Sequence, residues 1–261
     1  MAYLNKNNYK IYYEVIGKGK PLVYLHGLGG NIEAIKGIYR KIENVQLILI
    51  DLQGHGQSTM SDNDFNFKTL AKDVVDVVDC LKIDKFMIAG ISMGAAVGLR
   101  VAIDYPSRID KLILIRNAWI NKPMKQEFIN IYEQAAHYLS LDDLLGFEKT
   151  KEFKELEKLS KNSVGSLRYY FTDNAALKNY TKFSTLPKLK PFNKWEEIEN
   201  LDIETLIINN DNDPIHASEY GKEIAKHMKN VTYKEILSKD VNAIEHVRQL
   251  NRQLKDFINA K

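Results

Sequence analysis

The sequence contains a single cysteine, Cys80, in 261 residues. An intrachain disulfide is therefore excluded. Apolar residues recur with helical spacing before Cys80, which predicts a helix residue near the core rather than a reactive thiol. No apolar run approaches the length of a transmembrane helix, and the first residues lack the apolar stretch of a signal peptide. We therefore expect a soluble cytoplasmic protein with no membrane partner.

An excess of charge of either sign is also missing. The 37 basic and 34 acidic residues leave a net charge of +3, and no polybasic patch stands out, so we expect no nucleic-acid partner. The six histidines are scattered without ligand spacing, so neither a metal nor an organic cofactor is implied. The hydrophobic content of 44% suffices for one domain with a sizeable core.

Short aliphatic runs alternate with helical patterns along much of the chain. The predicted strands are 9–16, 21–25, 46–52, 85–89, 111–116 and 204–209, and the clearest helix is 69–82. Continuous aliphatic strands of this kind are typical of a mostly parallel sheet covered by helices on both faces, the α/β class. Functional sites in such sheets form at the carboxyl ends of the strands.

The composition changes between 119 and 200, where aliphatic strands give way to charged, tyrosine-rich helical stretches. We predict helices at 124–145, 148–161 and 163–180, followed by an extended segment at 184–191. The expected organisation is a core formed by 1–118 and 201–261, with a helical lid at 119–200 inserted in it.

The pentapeptide Gly90–Gly94 has the pattern G-x-S-x-G and stands between a predicted strand and a predicted helix. A sharp turn of this kind places the serine hydroxyl at the tip of a strand, and the glycines leave room for the backbone. This context predicts that Ser92 is a nucleophile.

Four motifs occur together in one order: His26–Gly30, Asp51–Ser58, Gly90–Gly94 and Asp211–Pro214. Over nearly its whole length the chain resembles the α/β-hydrolase family, of the small lidded bacterial kind.

The resemblance implies a lid after the sixth strand and a catalytic acid after the strand at 204–209, here Asp213 with Asp211 as the alternative. It also implies an oxyanion hole formed by the amides of Leu28 and Met93. His26 is then a structural residue, as are Asp51 and His55, and Gln53 stands where arginine is common.

The histidine base is the point where the sequence departs from the family pattern. Lys239 and Asp240 stand where a Gly-His pair is usual, and a carboxylate cannot replace an imidazole near neutral pH. We favour His246, which lies at the rim of the apolar face of the last predicted helix. His216, on the loop of the acid, is the alternative base. A third possibility is that neither histidine reaches Ser92.

The function that follows is a carboxylesterase-like serine hydrolase with a small-molecule acyl substrate. It would cleave a small or medium carboxylic ester, thioester or lactone through an acyl-enzyme on Ser92. Two alternatives remain open at this point. One is aminopeptidase, C–C hydrolase or lyase chemistry on the same triad; the other is a non-catalytic, ligand-binding relative.

Overall fold

The computed structural model describes residues 2–61 and 65–260, and these contain one eight-stranded sheet. The strands are β1 (Ala2–Asn5), β2 (Lys10–Ile16), β3 (Lys20–Leu25), β4 (Val45–Ile50), β5 (Phe86–Ile91), β6 (Ile109–Ile115), β7 (Glu204–Asn210) and β8 (Val231–Ile236). Their order across the sheet is β1-β2-β4-β3-β5-β6-β7-β8.

Neighbouring strands are parallel from β4 across the sheet to β8. At the other edge, β2 pairs antiparallel with β4, and β1 pairs antiparallel with β2. The predicted α/β class with a mostly parallel sheet is confirmed. The six predicted strands correspond to β2 to β7. β1 and β8 were not predicted, because β1 has four residues and β8 alternates partly buried and exposed positions rather than forming an aliphatic run.

Five helices flank the sheet: α1 (Ile32–Ile38), α2 (Phe67–Cys80), α3 (Met93–Asp104), α11 (Ser218–His227) and α12 (Ala243–Asn259). Apolar residues of α2 and α3 belong to one buried cluster, and those of α1 and α12 belong to a second cluster on the other face. The sheet is therefore covered on both faces, as its fully aliphatic central strands require.

The chain between β6 and β7 is helical. It contains α4 (Gln126–Ser140), α5 (Leu144–Glu148), α6 (Lys151–Leu159), α7 (Lys161–Tyr170), α8 (Asn174–Lys178), α9 (Thr181–Thr185) and α10 (Glu196–Glu199). We call residues 119–200 the helical segment. The prediction of an extended stretch at 184–191 was partly wrong, because α9 and a 3₁₀ turn at Leu186–Lys188 occupy its first half.

Cys80 is the last residue of α2 and is exposed, so its predicted place near the core was wrong. The buried face of α2 consists instead of residues such as Val74 and Val78. Among the described residues, no helix combines the length and the apolar content needed to cross a bilayer.

Candidate active site

Ser92 connects β5 to α3 in a strained conformation, with φ of 55° and ψ of −111°. A non-glycine residue with positive φ costs free energy and persists only where its surroundings enforce it. Here the Ser92 N–H donates to the Ile115 carbonyl oxygen at 2.9 Å, and two glycines permit the close packing around the turn. A Cβ atom on Gly90 would overlap the Gly94 carbonyl, and one on Gly94 would overlap the Leu25 carbonyl. The predicted strand–turn–helix context of Ser92 is thus present.

A continuous chain of hydrogen bonds runs from Ser92 to the loop after β7. The Nε2 atom of His216 lies 2.9 Å from Ser92 Oγ, and its Nδ1 atom lies 2.9 Å from Asp213 Oδ1. The backbone N–H of His216 also donates to Asp213 Oδ1, at 3.1 Å. With Nδ1 protonated and donating to Asp213, Nε2 is free to accept the Ser92 proton. The structure therefore brings together Ser92, His216 and Asp213.

His246 occupies a different place. Its Nδ1 atom lies 2.7 Å from the carbonyl oxygen of Leu237, and its side chain is buried at the start of α12. In the described part of the chain no hydrogen bond joins it to Ser92, so the expectation that it reaches the nucleophile is not met. The helical wheel indicated its inward position, but not that it points to the loop before α12.

Asp240, in the loop before α12, contacts the helical segment. Its carboxylate accepts hydrogen bonds from Ser160 Oγ at 2.6 Å and from the backbone N–H of Asn162 at 3.1 Å. The Asn162 side chain adds a third at 2.9 Å. This loop therefore anchors the helical segment through Asp240.

Arg116 is a site residue that the sequence did not single out. It is the first residue after β6, has φ of 52°, and donates from Nε to Asp213 Oδ2 at 3.0 Å. Its Nη2 atom binds the same carboxylate and lies 3.2 Å from His216 Nδ1. A basic residue directly after an aliphatic strand was the available signal.

The charged groups around His216 shift its pKa in opposite directions. Burial lowers the pKa of His216 below its ordinary value, and Arg116 and Lys239 act in the same direction, while Asp213 raises it. Burial alone would raise the pKa of Asp213, but His216 and Arg116 hold it well below its usual range. The site thus favours a neutral imidazole beside an ionised carboxylate, which is the state of a general base.

The loop after β3 lies against the nucleophile. A Cβ atom on Gly27 would be 3.5 Å from Ser92 Cβ. Leu28 is buried, and its carbonyl oxygen accepts a hydrogen bond of 2.9 Å from the Tyr170 hydroxyl. Met93 is the first residue of α3, so its N–H has no partner within the helix. The two amides expected to hold an oxyanion therefore belong to segments that adjoin Ser92.

His26 and Asp51 hold the loops beneath the site. His26 Nε2 accepts from the Leu52 N–H at 3.0 Å, and its Nδ1 lies 2.8 Å from the Gly27 carbonyl oxygen. Asp51 accepts from the N–H of Ile32 at 2.8 Å. Burial lowers the pKa of His26 to about 4, so its ring is neutral near pH 7. These contacts support structural roles.

A cavity of about 460 Å³ opens between the loop after β3 and α7. Its lining includes Gly27, Leu28, Ile91, Tyr169 and Lys239. In the ranges 2–61 and 65–260, no group of three or more His, Cys, Asp or Glu side chains is arranged to hold a metal ion.

A family model described as "alpha/beta hydrolase fold" matches residues 20–239. An AB hydrolase superfamily protein of Bacillus subtilis (strain 168) is 26% identical over 232 residues, which cover 84% of each chain. A Mycobacterium tuberculosis protein is 28% identical over 123 residues, or 47% of this chain, and this match covers only 36% of that protein.

Solved structures share the fold at low identity. An alpha/beta hydrolase from a Medee basin deep-sea metagenome library has a TM-score of 0.81 at 16% identity, covering 100% of this chain and 98% of its own. The enol-lactonase of Burkholderia xenovorans LB400 has a TM-score of 0.74 at 19% identity, with 99% and 100% covered. A thermophilic esterase of Thermogutta terrifontis has a TM-score of 0.75 at 17% identity, with 96% and 93% covered. Identities this low establish the fold alone.

Proposed function

Because the chain belongs to the α/β-hydrolase family, we propose that it is a serine hydrolase with an acyl-enzyme mechanism. It cleaves a small or medium carboxylic ester, thioester or lactone. The observation that carries this proposal is the hydrogen-bonded chain from Ser92 through His216 to Asp213. An unactivated serine hydroxyl is a poor nucleophile near neutral pH, whereas one bonded to an oriented imidazole is activated.

In the first half of the reaction, His216 Nε2 takes the Ser92 proton while Oγ attacks the acyl carbon. The carbonyl oxygen becomes an oxyanion, which the amides of Leu28 and Met93 stabilise. Collapse of the tetrahedral intermediate expels the alcohol, thiol or ring oxygen, to which His216 returns the proton. The acyl group is then an ester of Ser92.

In the second half, water attacks this ester with His216 again as the base, and the carboxylic acid leaves with Ser92 restored. Asp213 keeps Nδ1 protonated and Nε2 directed at Ser92. Arg116 fixes the second oxygen of the same carboxylate. His216 replaces the favoured His246 in this mechanism, because it is the histidine in contact with Ser92.

We further propose that the helical segment, residues 119–200, serves as the lid over this site. Two of its side chains form hydrogen bonds with the core. Tyr170 donates to Leu28 in the loop beside Ser92, and Ser160 donates to Asp240 in the loop before α12. An esterase and an enol-lactonase share this fold, which is consistent with the proposed chemistry.

A fluorophosphonate probe tests the central claim, because it reacts covalently with activated serines. We expect labelling of the wild-type protein and loss of both labelling and p-nitrophenyl acetate hydrolysis in Ser92→Ala. Ser107→Ala is the matched control, since Ser107 is an exposed serine in the 3₁₀ turn Pro106–Arg108, before β6. An unlabelled wild-type protein with native circular dichroism would overturn the hydrolase proposal in favour of a ligand-binding relative.

A further inference from the structure

The cavity beside the loop after β3 is lined by two lysines. Lys239 and Lys161 both line it, and among the described residues its lining contains neither aspartate nor glutamate. The remaining polar groups of the lining include Asn162, Ser166 and Tyr169. Gly27 and Ile91 belong to the lining, and both adjoin Ser92, because Ile91 precedes it in the chain and a Cβ atom on Gly27 would lie 3.5 Å from Ser92 Cβ.

Lys239 is the unusual member of this lining. It is partly buried, and within the described residues its amine forms no hydrogen bond or ion pair. The Lys239 amine is not among the buried unpartnered atoms of the described residues, so it still reaches solvent. A partly desolvated cation gains from an ion-pair partner that enters the cavity.

The carboxylates nearest to Lys239 are already engaged. Asp213 is held by Arg116 and His216, and Asp240 by Ser160 and Asn162. Neither carboxylate therefore pairs with Lys239, and its amine is available to a ligand in the cavity. Burial and Arg116 lower the pKa of Lys239 to about 8, with Asp213 opposing, so the amine is still mostly protonated at pH 7.

We propose that this cavity binds a carboxylate carried by the substrate, with Lys239 as its ion-pair partner and Lys161 contributing from the rim. This inference rests on the proposed function, because it narrows the acyl substrates to those with a second, anionic end. A volume of about 460 Å³ lies within the range of small-ligand pockets. An aliphatic diacid monoester of medium length is the simplest ligand of this class.

Monomethyl and dimethyl esters of adipate and suberate provide matched probes, since each pair differs in one terminal charge. We expect the wild-type protein to have the higher kcat/KM for the monoester, after correction for the two ester groups of the diester. Lys239→Met should reduce this preference by about 10-fold or more, the range of one charged hydrogen bond. Lys239→Arg should restore most of it, and Lys255→Met, an exposed change on α12, should leave it intact.

Binding separates the two proposals when measured without turnover. Ligand-observed NMR with the Ser92→Ala protein should detect monomethyl suberate, and the added Lys239→Met change should weaken its binding by a similar factor. If the diesters are hydrolysed but neither preference nor binding depends on Lys239, the carboxylate site is refuted and the hydrolase stands. If binding depends on Lys239 while no ester is cleaved, the hydrolase proposal is refuted and the carboxylate site stands. If no ester is cleaved and the monoester is not bound, both proposals fail.

Discussion

Two of the histidines that follow Asp213 in the sequence differ in what their ring nitrogens contact. His216 connects Ser92 to Asp213, whereas His246 bonds to the backbone of Leu237. Burial lowers the pKa of His246 to about 4, so this ring is neutral near pH 7. The same residue type is therefore placed for proton transfer in one case and for holding a loop in the other.

Substitution of the two histidines should have opposite consequences. His216→Ala should lower kcat by about 10⁴-fold or more with little loss of stability, because it removes the base. His246→Asn, which keeps a side-chain N–H, should leave kcat within a few-fold and cost about 1 kcal/mol of unfolding free energy. Ester hydrolysis and urea denaturation measure the two effects. A wild-type rate in His216→Ala would remove His216 from the mechanism.

Arg116 should set the acidic limit of activity. The base must be neutral, so kcat/KM falls as the pH drops through the pKa of His216, which lies below its ordinary value of 6.5. Arg116 lowers that pKa, so Arg116→Gln should move the acidic limb of the pH–rate profile to higher pH.

Arg248→Gln, an exposed change on α12, serves as the control and should leave the profile in place. A shift of the Arg116→Gln profile toward lower pH would contradict the electrostatic role of Arg116.

At the scale of elements, α7 packs closely against the loop after β3. The Tyr170 hydroxyl donates to the Leu28 carbonyl, and its ring stacks on Phe183 with centroids 4.5 Å apart. Gly29 has φ of 73°, and a Cβ atom there would overlap the Tyr170 ring. The position of the Leu28 peptide therefore depends on the helical segment as well as on the core.

Gly29→Ala should disturb this contact in two ways, through the strained φ and through displacement of Tyr170. We expect a loss of about 1–3 kcal/mol in stability and a lower kcat for ester hydrolysis. Gly37→Ala is the matched control: Gly37 is exposed within α1 and has open space at its Cβ position, so alanine should be neutral or stabilising. Equal stability and equal kcat in the two variants would contradict the close packing of α7 against the loop.

For the molecule as a whole, a buried lysine joins the helical segment to the core. Lys182 has no exposed surface, and its Nζ atom donates to the Gly54 carbonyl oxygen at 2.6 Å. Burial lowers the pKa of Lys182 from 10.5 to about 7, with Asp173 and Asp51 opposing. Between these values the unfolded chain binds a proton that the folded chain does not, so stability should rise with pH.

We expect the unfolding free energy to increase by up to about 2 kcal/mol between pH 7 and 9, as given by the proton linkage of one such lysine. Urea denaturation at several pH values measures it. Lys182→Met should remove a large part of this rise, while Lys239, with a pKa of about 8, supplies some of the remainder. Lys255→Met should retain the full slope, and a rise unchanged in Lys182→Met would show that the buried amine is not its source.

Much of the fold could be predicted from short stretches of sequence. Aliphatic runs of five to seven residues indicated β3 to β7, because burial on both faces leaves no alternation of polar residues. A run of aromatic and branched residues at 9–16 indicated β2. The turn at Ser92 followed from two glycines between a strand and a helix. β1 and β8 escaped prediction because edge strands lack the continuous apolar pattern.

The sequence by itself determined the fold class, the turn that presents Ser92, and the placement of Asp213 after β7, since each depends on residues within a short window. The tertiary structure decided which histidine meets Ser92, that Arg116 shares Asp213, and that Lys239 lies beside a cavity with no ion-pair partner among the described residues. His216 and Ser92 are 124 positions apart in the chain. Their contact depends on the meeting of two strand ends and on the direction of one side chain, and periodicity and motif spacing encode neither.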